Sequence, residues 1–360
     1  MKITCLLSVS VLVILASVTL GCGSGSKSKV QPQPPDVYVA GFEIADSGYH
    51  IAKYWKNGAP LVLGAGTYGS WANSIVVSGS DVYAAGTEGS ADGDVAKYWL
   101  NGVAVPLSAH GVGNEACTAI SIFVDGNDVY AAGVCQGVGQ YWKNGVSVAL
   151  TDAANYGEAW SIVESDGDVY VAGWQYVTTR INPTLTYTGP VAMLWKNGVP
   201  TELSDPLGVG IAQSIFLSGT DIYVAGNSCQ AVQPPPPPPG CNLATYWKNG
   251  TPVVLTDQTN TGATSIFVTA SDVYVAGNYT YGTGSNNIGD LWKDGTLTPL
   301  TTVPSAANQV VVSGSDVYVA GASTNFQGQE VAGYFKDGVF TSVTDGTHFA
   351  SGYAMTVVSH

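Results

Sequence analysis

"YWKNG" occupies residues 54–58 and returns as "YWLNG" (98–102), "YWKNG" (141–145), "LWKNG" (194–198), "YWKNG" (246–250), "LWKDG" (291–295) and "YFKDG" (334–338). Asn-Gly and Asp-Gly are strong hairpin signals, because a type I′ turn needs positive φ at both central residues. Each copy therefore reads as a strand ending in a tight turn. A short apolar stretch follows, such as "PLVL" (60–63), "SVAL" (147–150) or "PVVL" (252–255). Upstream, "DVYVAG" or a near copy begins at Asp36, Asp81, Asp128, Asp168, Asp221, Asp272 and Asp316, at spacings of 45, 47, 40, 53, 51 and 44. The last six copies are preceded by an apolar run such as "SIVV" or "SIFV", joined through turns such as "SGSD" (78–81) and "DGND" (125–128). One unit is thus strand, tight turn, strand, variable loop, strand, tight turn, strand. Four strands repeated at this period predict an all-β, seven-bladed β-propeller with four antiparallel strands per blade.

The two ends of the chain complete one another. The first unit begins directly at DVYVAG (36–41) without its leading apolar strand. Near the C-terminus, "AMTVVS" (354–359) is such a strand with no DVY word behind it. Pairing the last strand into the first blade closes the ring and removes the two edges an open array would expose.

The order of words resembles a Kelch-type blade, with Ala-Gly in place of the Kelch double glycine. It resembles still more the extracellular HAF repeat, whose grammar is carried by "HIAKYWKNGAPLVL" (50–63) and "NSIVVSGSDVYAAG" (73–86). The resemblance spans residues 36–360. It implies a secreted propeller with an interaction role and supplies no catalytic residues.

The repeated aromatic positions are Trp55, Trp99, Trp142, Trp195, Trp247, Trp292 and Phe335. A seven-fold ligand site needs these rings exposed. Packing needs them wedged between sheets, where an aromatic buries on the order of 150–250 Å². Packing is the expectation, with the small Ala-Gly ends of DVYVAG placed where blades crowd. The lysines of the word are expected to pair with the Asp of DVYVAG inside each blade. "DGND" and "SDGD" (165–168) suggest calcium loops, yet no EF-hand pattern surrounds them, so they read as turns.

Composition narrows the function. The chain has 360 residues with 45 Gly, 20 Tyr and 9 Trp, and only 11% of residues are charged, which suits a turn-rich β protein. A net charge of −14 repels nucleic acid and anionic lipid. Arg180 is the single arginine, which argues against phosphate sites built on guanidinium forks.

Residues 1–22 read as a signal peptide: Lys2, an apolar run and then Gly21-Cys22. "TLGC" (19–22) resembles a bacterial lipobox, with Thr19 where the family carries Leu, and the resemblance makes Cys22 the lipid-bearing residue. With Gly23 after the cysteine, it implies an outer-membrane or cell-surface lipoprotein. The alternative is soluble secretion. Residues 23–35 read as a flexible tether, leaving 36–360 as the propeller. Membrane contact is expected only through the lipid, and the protein is expected to be monomeric.

Four further cysteines fall in two close pairs, and an exported chain predicts the disulfides Cys117–Cys135 and Cys229–Cys241. The second flanks a proline-rich insertion, "QAVQPPPPPPG" (230–240). No zinc spacing is present, and no metal or cofactor is expected. Nucleophile-elbow, HExxH and phosphate-loop motifs are absent. Paired carboxylates from separate blades leave no sequence signature, so two classes stay open. The first is a non-enzymatic surface binding or scaffold module for a protein or glycan. The second is a carbohydrate-active or other hydrolase or lyase using acidic and aromatic loop residues.

Strand alternation puts both short turns at one end of every blade and the variable loops at the other. Function concentrates on variable loops carried by a rigid scaffold. The expected contacts, at the loop-side mouth of the central channel, are Tyr49, Trp71, Glu115, Tyr156, Trp160, Trp174 and Arg180.

Overall fold

The computed structural model describes residues 33–107, 116–183, 185–204, 209–229, 242–256, 260–281 and 286–360. Cys22, Glu115, Cys241 and the proline-rich insertion lie outside them. Twenty-eight strands form seven four-stranded antiparallel sheets, and the described residues contain no helix.

Blade one uses β1 (Asp36–Ile44), β2 (His50–Lys56) and β3 (Ala59–Val62). Blade two is β4 (Ser70–Ser78), β5 (Asp81–Ser90), β6 (Gly93–Leu100) and β7 (Val103–Pro106). Blade three is β8 (Cys117–Asp125), β9 (Asp128–Cys135), β10 (Val138–Lys143) and β11 (Val146–Ala149). Blade four is β12 (Gly157–Ser165), β13 (Asp168–Asn182), β14 (Leu185–Lys196) and β15 (Val199–Glu202). Blade five is β16 (Val209–Ser218), β17 (Asp221–Cys229), β18 (Leu243–Lys248) and β19 (Thr251–Val254). Blade six is β20 (Thr261–Val268), β21 (Val273–Tyr281), β22 (Asn286–Lys293) and β23 (Thr296–Pro299). Blade seven is β24 (Ser305–Ser313), β25 (Asp316–Thr324), β26 (Glu330–Lys336) and β27 (Val339–Ser342). The last strand, β28 (Ala350–Val358), pairs antiparallel with β1, from Asp36↔Val358 to Glu43↔Ala350. It also touches β24 on one side and β4 on the other, so the ring closes as the chain ends predict.

The turn chemistry behaves as written. Asn57-Gly58, Asn101-Gly102 and Asn144-Gly145 carry consecutive positive φ values near 50° and 80°, the type I′ geometry. In the turns between first and second strands, Gly79, Gly219 and Gly314 sit at φ near 60°, which suits the first central residue of a type II′ turn.

The repeated tryptophans are structural. All seven ring positions are 0–1% exposed. Each packs against the preceding blade: Trp99 meets Ala40 and Ala52 of blade one, Trp142 meets Ala85 and Ala96 of blade two, and Trp195 meets Tyr130 and Ala132 of blade three. The alanine of DVYVAG is small because the next blade's ring lies against it. The glycine has another cause. A Cβ on Gly86 would stand 1.9 Å from the Trp71 carbonyl oxygen of its own sheet, and Gly41, Gly133 and Gly321 face the same obstruction. In each sheet the innermost strand bulges at this point, skipping one residue.

After the bulge, six of the seven innermost strands are tied to the next by a side chain. The Ser74 hydroxyl accepts from the Ile122 N–H (3.2 Å), Ser121 from Ile162, Ser161 from Ile215, Ser214 from Ile266 and Ser265 from Val310. Gln309 does the same for the Met355 N–H at 2.6 Å, across the join made by β28. These groups line a central channel of about 500 Å³, and their polar atoms are spent on holding blades together.

Cys117 and Cys135 stand directly opposite on β8 and β9 and form a disulfide. Cys229 is disulfide-bonded as well, and its expected partner Cys241 lies outside the described residues. The segment 174–190, expected as a loop, is a hairpin. Its Thr, Val and Tyr residues extend β13 and β14 in register as far as Arg180↔Thr186, beyond which the register shifts.

Candidate functional site

The two ends of the ring differ in chemistry. At the short-turn end, the Asn57 amide donates to Asp36 at 2.6 Å, while its carbonyl accepts the Val37 N–H. Lys56 pairs with the same Asp36 at 2.7 Å and lies 5.2 Å from the centre of the Tyr38 ring. Blades three to seven repeat the Lys–Asp pair. Blade two has Leu100 in place of the lysine and keeps the Asn101–Asp81 and Val82–Asn101 bonds. The donated hydrogen bonds hold the six lysine-paired aspartates below the usual carboxylate range; for Asp128 the main donor is Asn144, then Lys143. The Lys, Asn and Asp side chains at this end are therefore engaged within their own blades. Lys143→Ala should leave the urea midpoint nearly unchanged, because the pair is solvent-exposed.

The loop end carries the variation. The seven bulge residues of the innermost strands are Asn73, Ile120, Trp160, Gln213, Thr264, Asn308 and Tyr353, one per blade at the loop-side end of the channel. Three serve the scaffold: Asn73, Thr264 and Asn308 donate to the carbonyls of Ala119, Ala307 and Gly352 in the next blade. Trp160 differs. Its indole N–H donates to one oxygen of Glu158 at 2.7 Å, while the Tyr156 hydroxyl donates to the other at 3.0 Å.

Around this carboxylate blade four builds an aromatic wall. The Tyr156 ring lies 5.4 Å from Trp174 and 6.2 Å from Tyr176, and Trp174 meets Tyr176 edge-on at 5.3 Å. Tyr156 and Tyr176 remain 43% and 40% exposed, over a Trp174 that is buried. Burial, and then the bond to Glu158, pushes the Tyr156 hydroxyl above its ordinary pKa. Tyr156, Trp160 and Trp174 were expected at the site, and the structure brings them together. Tyr176 and Glu158 were missed. Residues 174 and 176 share a face by strand alternation, which is the signal that would have found the tyrosine.

The other expected residues fall elsewhere. The Trp71 ring lies tilted against His50 at 5.1 Å, and His50 packs edge-on to Phe42 at 4.5 Å, at the junction of blades one and two. Tyr49 is exposed in the β1–β2 turn, where its carbonyl accepts the Ala45 N–H. Arg180 sits far along the β13–β14 hairpin and donates to the Pro183 carbonyl at 3.0 Å. Among the described residues, Glu43, Asp345 and His348 place donor atoms within 4.8 Å of one another in a metal-like group. Each is already engaged: Glu43 with Lys53, Asp345 with Thr347, and His348 with Asp46 at 2.9 Å, a bond that raises the imidazole pKa.

No protein-family model matches the chain, and no curated protein matches it in sequence. Among solved structures, the tricorn protease aligns with a TM-score of 0.50 and 11% identity, covering 90% of this chain and 36% of that one. A polysaccharide lyase aligns with a TM-score of 0.45 and 10% identity, covering 80% of this chain and 90% of that one. The chain thus spans about a third of the length of the tricorn protease it matches. The likeness establishes the propeller fold alone.

Proposed function

We propose that this protein is a non-enzymatic surface binding module whose propeller presents the blade-four aromatic wall to a glycan. The observation that carries the reading is the pair of half-exposed rings, Tyr156 and Tyr176, backed by Trp174. Flat rings stack on the apolar faces of sugars, and fixed rings lose little entropy on binding. The opposite end of the ring offers no comparable surface, since its Lys, Asp and Asn groups satisfy one another.

The alternative, a hydrolase or lyase acting at the channel mouth, needs a carboxylate free to move protons. Glu158 spends both oxygens on Tyr156 and Trp160, so it orients rings. The HAF-like and Kelch-like grammar supports an extracellular interaction role. The proposed address is the cell surface, with Cys22 as lipid anchor, and the Cys117–Cys135 disulfide supports an oxidising compartment.

A glycan screen followed by titration of the best binder tests this. Tyr156→Ala and Tyr176→Ala should each weaken binding by about ten-fold or more, as interface aromatics do. Asn144→Ala, in the opposite turn, should leave it unchanged. Binding that survives both tyrosine changes but fails with Asn144→Ala, with the melting temperature kept, places the site on the wrong end.

A further inference from the structure

The second and third strands of each blade face one another at a pair of positions just inside the loop end. In blade one the pair is Glu43 and Lys53, in blade two Glu88 and Lys97, and both are ion pairs. Blade five has Ser228 and Thr245, whose hydroxyls lie 3.1 Å apart. In blade six the same positions hold Tyr279 and Asp290. Asp290 is thus an acid where the first two blades place a lysine.

Asp290 is 5% exposed, and no hydrogen bond or ion pair reaches its carboxyl among the described residues. It lines a cleft of about 720 Å³ between blades five and six. The lining is otherwise mostly apolar or hydroxylic, with Ile288, Trp292, Leu297 and Pro299 beside Thr256 and Thr261. A buried carboxylate without a counter-charge is costly. The described residues supply none nearby. All eight lysines of the described residues pair with other acids. The neighbouring segments 257–259 and 282–285 contain no Lys, Arg or His.

We propose that the cleft between blades five and six binds a small organic ammonium ion, with Asp290 as the anionic anchor and Ile288, Leu297 and the Trp292 edge enclosing its hydrocarbon body. The volume lies within the range of small-ligand pockets. A metal ion fits poorly, because a hard cation seeks six or more oxygens and the described lining offers one carboxylate. A neutral polyol lacks the charge that the carboxylate requires.

The acid also gives the site a pH signature. Burial pushes the Asp290 carboxyl up to about 6. Tyr279 is the other titratable side chain lining the cleft. An ammonium ligand binds the ionised form. Its affinity at pH 5 should be about ten-fold lower than at pH 7.5, since roughly a tenth of the carboxyl is ionised there.

Calorimetric titration of the full-length protein with phenethylammonium tests the proposal, with 2-phenylethanol as the neutral isostere. Saturable binding at pH 7.5, about ten-fold weaker at pH 5 and lost with the isostere, supports it. Asp290→Asn should lower the affinity by on the order of ten-fold or more. Asp290→Leu should do the same by an apolar route. The ligand-free Asp290→Asn protein should also melt at a higher temperature than wild type at pH 7.5 but not at pH 4. The raised carboxyl destabilises the fold increasingly as pH climbs from about 4 to about 6, and the amide removes that penalty. Equal affinity in Asp290→Asn, tighter binding at pH 5, or no phenethylammonium binding at all would each overturn the assignment.

Discussion

A chain ending at Gly352 should lose the cooperative unfolding of the whole ring. The truncation removes Tyr353 to His360, and with them the pairing of Val358 to Ala354 against Asp36 to Ala40. Met355, 1% exposed, and Ala354 leave the core, and the Gln309 bond that ties blade seven to β28 is lost. Burial of one large apolar side chain is worth about 1.5–3 kcal/mol, and here five ladder positions go with it. A loss of about 5 kcal/mol or more is expected, comparable with the total stability of many domains. In calorimetry this should appear as a melting temperature lower by about 10–20 °C, or as loss of the single transition. A truncated protein melting with the intact one would mean that β28 does not hold the ring.

The second large effect lies in the blade interfaces. Trp195→Ala should cost about 3–5 kcal/mol, because the ring is fully buried among Tyr130, Ala132 and Met193 and nothing else can fill its space. Trp195→Phe should cost far less, about 1–2 kcal/mol. Phe335 already occupies the equivalent place in blade seven, and the Trp195 indole N–H makes no hydrogen bond that the change would break. Equilibrium urea unfolding of the two variants measures the difference. If alanine and phenylalanine cost the same, the ring's volume is not what joins the blades.

The repeat architecture was readable because its signals are local. Asn-Gly and Asp-Gly fix a turn within two residues, and alternation fixes the faces of the strands beside it, so blade number and ring closure follow from counting. The innermost bulges were not readable. They arise from an offset between two strands, and the glycine that permits each one sits on the partner strand, as Gly86 does opposite Trp71. The glycine of DVYVAG was therefore read as relief between blades, when it relieves a contact within one sheet.

The candidate site was legible in part for the same reason. Aromatic residues near predicted loops drew attention to Tyr156, Trp160 and Trp174, yet Glu158, which fastens two of them, is an ordinary acid until its partners are in place. The hairpin of residues 174–190 looked irregular because it lacks the apolar alternation of the blade strands, although Thr178 and Thr188 pair across it at 2.8 Å. Asp290 escaped because its meaning lies in comparison with Lys53 and Lys97, which only cross-strand register makes.

Every tryptophan of the repeat reaches backwards, into the alanines of the blade before it, and never forwards. The contact between successive sheets is thus heterologous, joining unlike surfaces head to tail, and the chain is a cyclic assembly of seven quasi-equivalent subunits fused end to end. Such an assembly has no two-fold axes, so an odd number of subunits closes as readily as an even one. A blade excised from it presents a ring-bearing surface and an alanine-lined surface that fit each other. Fragments of this protein therefore carry the information to polymerise, and it is the covalent fusion of seven blades, with the two chain ends sharing one sheet, that sets where polymerisation stops.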